Sequence, residues 1–179
     1  ASFLNQELPE RINSLWAFQE QVARHCNFVC SPSNHFNEDL IKHGVVSDAL
    51  VFPNGVDDDI VEGVQRSHHL VANDHNTADR TVNIIWAGRM SLEKRILEFL
   101  GAFAQADLKN VKLDIYGAGQ IDARVRLQIR QLGLHKVAKM HGRIPHKDLV
   151  RTFADADLVC QSSIGFETQG MTVYESVMV

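Results

Sequence analysis

The chain has 179 residues, a hydrophobic content of 45%, and 18 Lys and Arg against 22 Asp and Glu, so its net charge is -4 at pH 7. This size suits one buried domain or parts of two, and the acidic balance excludes binding of nucleic acid through a broad basic field. The three cysteines form no CxxC pair, and neither a secretory leader nor an apolar run of the ~20 residues of a membrane helix is found, so we expect a cytoplasmic protein.

The first third of the chain predicts a helix followed by a small β-α-β unit. Apolar residues recur at helical spacing over residues 9–25, beginning at Pro9, which suits a first helical turn. A strand is predicted at residues 28–30, and Ser33 can cap a helix that ends at Gly44. Residues 49–52 predict the second strand of the unit.

A turn and a polar segment separate this unit from the rest. Pro53-Asn54-Gly55-Val56-Asp57 contains Asn-Gly, which marks a tight turn. Residues 62–80 are rich in His, Asn and Asp and lack a helical or alternating apolar pattern, so they are interpreted as a linker.

The remaining sequence alternates regularly between strand and helix patterns. Such alternation predicts an α/β fold with a parallel sheet covered by helices on both faces, whose ligands bind beyond the carboxyl ends of the strands. The predicted strands are 82–87, 112–116, 137–140 and 158–160, and the predicted helices are 92–106, 121–132, 147–154 and one that begins at about residue 171.

The loop after the first of these strands carries two cations, Arg89 and Lys94, around a predicted helix start, next to Gly88. A planar guanidinium and a mobile ammonium can together neutralise a diphosphate and the charge of a departing phosphate. In isolation, such a pair is more often two solvated surface charges, and its position after a strand favours the clamp.

The next loop contains Gly117-Ala118-Gly119, which permits a close backbone approach or a simple tight turn. A dinucleotide fingerprint requires a third glycine where Asp122 stands, and it belongs in the first β-α unit, so a dehydrogenase is disfavoured. After the third strand, residues 141–145 predict an extended loop whose backbone can meet a nucleobase edge, while Arg143 and His146 are equally consistent with ordinary surface residues.

Two other chemistries are disfavoured. Adjacent His68 and His69, with His75, lie in the polar segment without the ligand spacing of a metal site. Ser162 and Ser163 lack the GxSxG elbow of a hydrolase nucleophile.

The last loop places Glu167 and Glu175 with seven residues between them, and Gly170 just before a helix start. A helix N-terminus that opens with glycine attracts phosphate through backbone N–H groups and partial positive charge. The two carboxylates can accept hydrogen bonds from sugar or ribose hydroxyls.

In their order along the chain, these motifs resemble glycosyltransferase family 4, the group 1 enzymes of GT-B architecture that use nucleotide sugars and retain anomeric configuration. The matching segments are Pro53-Asn54-Gly55-Val56-Asp57, Gly88-Arg89 with Lys94, Tyr116-Gly117-Ala118-Gly119, Gly142-Arg143-Ile144, and Glu167 through Glu175. Three positions depart from the usual family pattern: Arg95 stands for glycine, Gln161 for proline, and Ser176 for alanine.

The resemblance implies a metal-independent enzyme without a cofactor, whose donor substrate is a nucleotide-diphosphate sugar and whose acceptor is an unknown glycan or lipid. Glu167, Arg89 and Lys94 are the implied catalytic residues, with Glu167 on the sugar hydroxyls and Glu175 on the ribose. The implied donor-binding residues are Gly88, Gly117, Gly119, Gly142, Arg143, Ile144, Gly170, Met171, Thr172 and Glu175.

The resemblance also implies that residues 1–56 are the tail of an N-terminal acceptor-side domain, residues 57–80 a linker, and residues 81–179 a truncated donor domain with an incomplete sheet. Any peripheral membrane contact is expected through the absent domain. Two alternatives stay open: a non-catalytic nucleotide-sugar-binding or assembly module, and a GT-B sugar-nucleotide epimerase, because a fold does not determine its chemistry.

Overall fold

A computed structural model describes residues 8–57, 80–164 and 167–179, with side chains from residue 13 onward. The chain divides into two compact units, residues 1–55 and 56–179. Apart from its end residues Asp57 and Arg80, the predicted linker lies outside the described residues, as do His68, His69 and His75. The assignment of the first unit to an acceptor-side domain stays a prediction.

The first unit contains helix α1 (Leu8–Ala23), strand β1 (Cys30–Ser31), helix α2 (Asn34–Lys42) and strand β2 (Leu50–Val51). The two strands pair in parallel, as the β-α-β pattern predicts. Ser33 caps α2, because its Oγ accepts a hydrogen bond from the backbone N–H of Phe36 at 3.1 Å. Both strands are shorter than predicted, since the ladder joins only Cys30 to Leu50 and Ser31 to Val51.

The second unit holds a four-stranded parallel sheet in the order β5-β4-β3-β6, which confirms the predicted α/β fold. Successive parallel strands require crossover connections, and helices supply them. The elements are β3 (Val82–Ala87), α3 (Ile96–Gln105), β4 (Val111–Tyr116), α4 (Asp122–Gln131), β5 (Ala138–Gly142), α5 (His146–Ala154), β6 (Leu158–Cys160) and α6 (Met171–Met178).

Alternate residues of the central strands face two different apolar layers. Ile84 and Trp86 of β3 pack into the larger cluster with α3 and α4, whereas Ile85 and Ala87 pack into a smaller cluster with Phe153 of α5. The sheet is therefore covered on both faces, and the loops that follow its strands meet at one edge.

The helix predicted from residue 92 begins instead at Ile96. Residues Leu92–Lys94 form a 3-10 turn, and Arg95 takes a left-handed conformation with φ 51°, which interrupts the helical ladder. Lys94 thus lies on a tight turn before α3 and not within a helix.

The loop predicted at residues 141–145 is also partly wrong, because β5 continues through His141 and Gly142. The β4–β5 register jumps there: Ile115 pairs with Met140 and Tyr116 with Gly142. A bulge of this kind turns the extra residue, His141, toward a new contact. Its ring stacks on Tyr116 with centroids 4.5 Å apart.

Candidate functional site

Backbone hydrogen bonds join the loops that follow β3, β4 and β5. Gly88 N–H donates to the Tyr116 carbonyl at 3.0 Å, Met90 N–H to that of Ala118 at 3.1 Å, and Gly117 N–H to that of Gly142 at 2.8 Å. The strand ladder therefore continues into the loops. These backbone hydrogen bonds hold the three loops next to one another at the edge of the sheet.

The two glycines of the β4 loop make this close packing possible. A Cβ on Gly117 would lie 1.8 Å from the Gly88 carbonyl oxygen, and one on Gly119 would lie 2.4 Å from that of Met90. The close approach anticipated for this loop is thus made to the neighbouring loop. Gly117 also has φ 124°, which L side chains rarely adopt.

A cavity of about 320 Å³ opens beyond the carboxyl ends of β3 and β6. It brings together seven of the predicted site residues: Gly88, Arg89, Lys94, Glu167, Gly170, Met171 and Thr172. Both predicted cations, one of the two predicted carboxylates and the first residues of α6 therefore share one cavity.

Lys94 and Glu167 form an ion pair in this cavity, with side chains that are partly buried. Burial raises the pKa of Glu167, but hydrogen bonds from Lys94 and Ser163 together with the Lys94 charge lower it, and the net pKa lies below its ordinary value of 4.5. The carboxylate is thus ionised at neutral pH and accepts hydrogen bonds.

The position of Lys94 is set by a chain of hydrogen bonds that sequence reasoning missed. Trp86 Nε1–H donates to Ser162 Oγ at 2.9 Å, and Ser162 Oγ–H donates to the Lys94 carbonyl at 2.7 Å. In addition, Ile164 N–H donates to the Glu93 carbonyl at 2.9 Å. The loop after β3 is therefore tied to the loop after β6, which carries Glu167.

Helix α6 presents its N-terminus to the same cavity. Gly170 is its N-cap, with φ 72° in the left-handed region, and Met171 and Thr172 are its first residues. Val173 N–H donates to the Gly170 carbonyl at 2.9 Å. The first N–H groups of an α-helix lack i−4 partners within it, and they carry partial positive charge. Gln161 lies against Gly170, and its Oε1 is buried without a hydrogen-bond partner among the described residues.

A second cavity, of about 510 Å³, shares Gly88 and Arg89 with the first. It also contains three further predicted residues, Gly117, Arg143 and Ile144, and its remaining lining residues are Tyr116, Ala118, His146 and Leu149. The two cavities are therefore adjacent at Gly88 and Arg89.

Glu175 lines neither cavity, yet it is tied to the second one. His146 Nε2–H donates to Glu175 Oε1 at 2.8 Å, and His146 lines that cavity. The residue Glu175 is buried, at 8% exposure. His146 was equally consistent with an ordinary surface residue in the sequence, and its pairing with Glu175 is a contact across 29 positions.

Gly119 and Gly142 also lie outside the linings of the two cavities. Gly119 N–H donates to Asp122 Oδ1 at 2.8 Å, at the start of α4. Gly142 ends β5 with φ 75°. Both positions shape the loops around the cavities.

Within the part of the chain that the structure describes, no helix is both long and apolar enough to cross a membrane. In the same residues, no three His, Cys, Asp or Glu side chains are grouped so that they can hold a metal ion.

The sequence matches the profile of a known protein family. The profile of the glycosyl transferases group 1 matches residues 71–179. The GtfA subunit of UDP-N-acetylglucosamine--peptide N-acetylglucosaminyltransferase from Streptococcus gordonii is 32% identical over 97 residues, which are 53% of this chain and 18% of that protein.

Solved structures show the same fold. HepE from Anabaena, in complex with UDP and glucose, has a TM-score of 0.75 and 19% identity, over 93% of this chain and 46% of that one. The pneumococcal O-GlcNAc transferase GtfA, in complex with UDP and GlcNAc, has a TM-score of 0.63 and 20% identity, over 92% of this chain and 31% of that one.

This chain thus spans less than half the length of the proteins that it matches. At the identities of the solved structures, the likeness concerns the fold, which is that of GT-B glycosyltransferases. The family profile covers more than half of the chain and includes Arg89, Lys94, Glu167 and Glu175. The chain belongs to the group 1 family of glycosyl transferases.

Proposed function

We propose that this chain supplies the donor-binding part of a cytoplasmic, retaining glycosyltransferase, which moves a hexose from a nucleotide-diphosphate sugar to a glycan or lipid acceptor. The single observation that carries the proposal is the first cavity, in which Arg89, Lys94, Glu167 and the N-terminus of α6 converge.

The diphosphate occupies the junction of the two cavities in this proposal. Arg89 lines both, and Gly170, Met171 and Thr172 at the start of α6 line the first cavity. Breaking the bond between sugar and phosphate builds negative charge on the diphosphate, and fixed cations and helix N–H groups stabilise that charge. These groups do so without a metal ion, so we expect activity and donor affinity to be unchanged by a chelator.

The sugar lies beside Glu167 and the nucleoside lies in the second cavity. The ionised carboxylate of Glu167 accepts hydrogen bonds from sugar hydroxyls, and the buried Oε1 of Gln161 is a further acceptor nearby. Arg143 and Ile144 line the end where a nucleobase fits, and Glu175 accepts from the ribose at the side of His146. Two of the related solved structures are complexes with UDP and a sugar, which supports a uridine nucleotide as the first donor to test.

The test is calorimetric titration of the chain with UDP, UDP-glucose, UDP-GlcNAc and uridine. Arg89→Ala should weaken UDP by about 1.5–3 kcal/mol, the range for hydrogen bonds to charged groups, and should leave uridine nearly unchanged. Arg151→Ala is the matched control, because Arg151 is an exposed cation of the same unit that pairs with Asp148 at 3.6 Å. An equal loss for UDP and uridine contradicts the diphosphate clamp.

Turnover distinguishes the alternatives. A radiolabelled donor incubated with the intact natural polypeptide and candidate acceptors yields transferred sugar if the protein is a transferase. Epimerised nucleotide identifies an epimerase, and binding without any conversion identifies an assembly module.

A further inference from the structure

The positive charges of this acidic protein are concentrated in one segment. Residues 123–147 contain seven Lys and Arg, three His and no Asp or Glu, although the whole chain has a net charge of -4. The remaining sequence is correspondingly more acidic. A soluble surface ordinarily mixes charges of both signs, so an acid-free stretch of this length indicates a distinct interaction.

Helix α4 carries the core of this charge on its solvent side. Val125 and Ile129 are buried against the sheet. Successive residues of an α-helix are about 100° apart around the helix axis, so Leu127 projects away from the sheet. On the helix surface, Arg126 and Arg130 lie on one side of Leu127, and Arg124 lies on the other. These four residues are all exposed, Leu127 at 53%. Together with exposed Lys136 at the end of the following 3-10 turn, they form what we term the basic face.

The cations of the basic face differ in their ion pairing from other surface cations of the same unit. Lys109 pairs with Asp107 at 2.8 Å and Arg151 pairs with Asp148 at 3.6 Å. Among the described residues, no carboxylate forms an ion pair with a cation of the basic face. Arg126 and Arg130 also stand four positions apart, a spacing at which like charges repel and weaken a helix.

The exposed leucine between the arginines indicates which kind of anionic partner, a soluble polyanion or a lipid bilayer, fits the basic face. A polyanion in solution uses the cations alone and gains nothing from an outward apolar side chain. A bilayer surface offers lipid phosphates, which guanidinium groups bind in a bidentate manner, and an apolar layer just below them. The α-helix has 10 residues, about 15 Å in length, and it can lie flat on such a surface.

We propose that the basic face docks this unit on the surface of an anionic lipid bilayer, with the arginines on lipid phosphates and Leu127 inserted between headgroups. The contact is peripheral and lies on the donor-side unit, whereas the sequence led us to expect membrane contact only through another domain. It does not depend on the identity of the sugar donor.

The experiment is co-sedimentation of the 179-residue chain with vesicles of phosphatidylcholine alone and of phosphatidylcholine with phosphatidylglycerol. We expect partition onto the anionic vesicles only, and release at high salt. Arg126→Gln with Arg130→Gln should lower the partition coefficient about 30-fold, or about fivefold for each cation near an anionic surface. The matched control is Lys109→Gln with Arg151→Gln, which removes the same charge from the same unit and should change partition less than twofold.

Two further sets of variants test the same surface independently. Arg124→Gln with Lys136→Gln should reproduce the loss, so a folding defect in one double variant does not decide the outcome. Leu127→Gln should lower partition severalfold without altering binding to soluble polyphosphate. Equal losses in the basic-face and control variants overturn the proposal, as does binding to polyphosphate that matches binding to vesicles and ignores Leu127.

Discussion

His146 and Glu175 connect helix α5 to helix α6 by a hydrogen bond of 2.8 Å between Nε2 and Oε1. The carboxylate is nearly buried, with its side chain 11% exposed, whereas the imidazole is 55% exposed and lines the second cavity. A buried carboxylate requires hydrogen-bond donors, and His146 both supplies one and holds the carboxylate in one orientation. In the proposed donor site, this fixed orientation prepares Glu175 to accept a hydrogen bond from a ribose hydroxyl.

Removing either partner of this pair should weaken the binding of nucleotide. Glu175→Ala should cost about 1.5–3 kcal/mol, equivalent to about 10–100-fold in affinity, because a charged acceptor is lost. His146→Ala should cost less, about 0.5–1.5 kcal/mol, since the acceptor remains but loses its fixed orientation. Calorimetric titration with UDP measures both effects.

The double variant tests whether the two residues act together. If His146 acts through Glu175, the loss in the double variant should be close to that of Glu175→Ala alone and not the sum of the two single losses. His135→Ala is the control, because His135 is an exposed histidine on the 3-10 turn after α4. Full additivity contradicts the positioning role.

The ion pair of Lys94 and Glu167 gives a prediction that separates sugar from diphosphate. Glu167→Gln removes the negative charge but keeps the size of the side chain, so Lys94 is freed to approach a phosphate. UDP should bind as tightly as before or more tightly, whereas the advantage of UDP-sugar over UDP should fall about tenfold, the scale of one hydrogen bond to a charged group. Parallel titrations with UDP and UDP-sugar give the ratio, and an unchanged ratio contradicts a sugar-binding role for Glu167.

The packing of Gly117 against Gly88 predicts a large effect from a single methyl group. Gly117→Ala places a Cβ 1.8 Å from a backbone carbonyl oxygen, at a φ of 124°, and no side-chain rotation relieves the overlap. We expect the free energy of unfolding to fall by about 2–5 kcal/mol, from overpacking and backbone strain. Urea denaturation of the variant measures the loss.

Two other glycines separate the causes of that loss. Gly133 has φ 70° and open space around its Cβ position, so Gly133→Ala should report the backbone cost alone, about 1–2 kcal/mol. Gly101 lies within α3, also in open space, and Gly101→Ala should stabilise the protein by about 0.5–1 kcal/mol through helix propensity. If Gly117→Ala costs no more than Gly133→Ala, the contact with Gly88 does not limit stability.

The alternation of strand and helix in residues 82–178 was readable because most of the strands are short and largely apolar and because helices α3, α4 and α5 each bury an apolar stripe. That pattern depends on local spacing alone, and it places the loops after the strands at one edge of the sheet. Arg89, Lys94 and Glu167 were therefore predictable as neighbours, although they come from distant parts of the sequence.

Other features depend on backbone conformation or on pairs that no local pattern encodes. The left-handed conformation of Arg95 interrupts a segment whose apolar spacing continues into α3, so the sequence predicts a longer helix. The bulge at His141 adds a residue to a strand without changing its composition. The hydrogen bond between Trp86 and Ser162 crosses 76 positions, and only the folded sheet brings them together.

By contrast, the concentration of positive charge that forms the basic face is visible in the sequence. A net charge of -4 for the whole chain concealed a segment of 25 residues without an acid. Charge averaged over the chain argues against a broad basic field, but it does not reveal how the charge is segregated along the sequence. The acid-free segment is found when charges are counted in a window as long as one helix with its flanking turns.

The ionisation of Asp114 predicts how the stability of the protein depends on pH. Its side chain is buried in β4, where His141 Nε2 lies 2.6 Å from Oδ1 and Lys112 Nζ lies 2.5 Å from Oδ2. Burial raises the pKa of Asp114, but the hydrogen bonds from Lys112 and His141 lower it, and the net pKa lies below the ordinary value of 3.8. A carboxyl whose pKa is lower in the folded state stabilises the fold above its unfolded pKa, and this contribution disappears as the pH falls through the folded pKa.

Asp114→Asn should therefore reduce the free energy of unfolding at about pH 6 by about 2–4 kcal/mol, because Lys112 and His141 lose their shared carboxylate. The difference from the wild type should persist down to about pH 4 and shrink below it, as Asp114 of the wild type becomes protonated. Urea denaturation at several pH values between about pH 6 and about pH 3 measures the difference. Asp148→Asn is the control: Asp148 is 53% exposed and pairs with Arg151 at the surface, so its loss should cost less than about 0.5 kcal/mol at any of these pH values. A gap between wild type and Asp114→Asn that stays constant through this range contradicts a stabilising role for the ionised carboxylate.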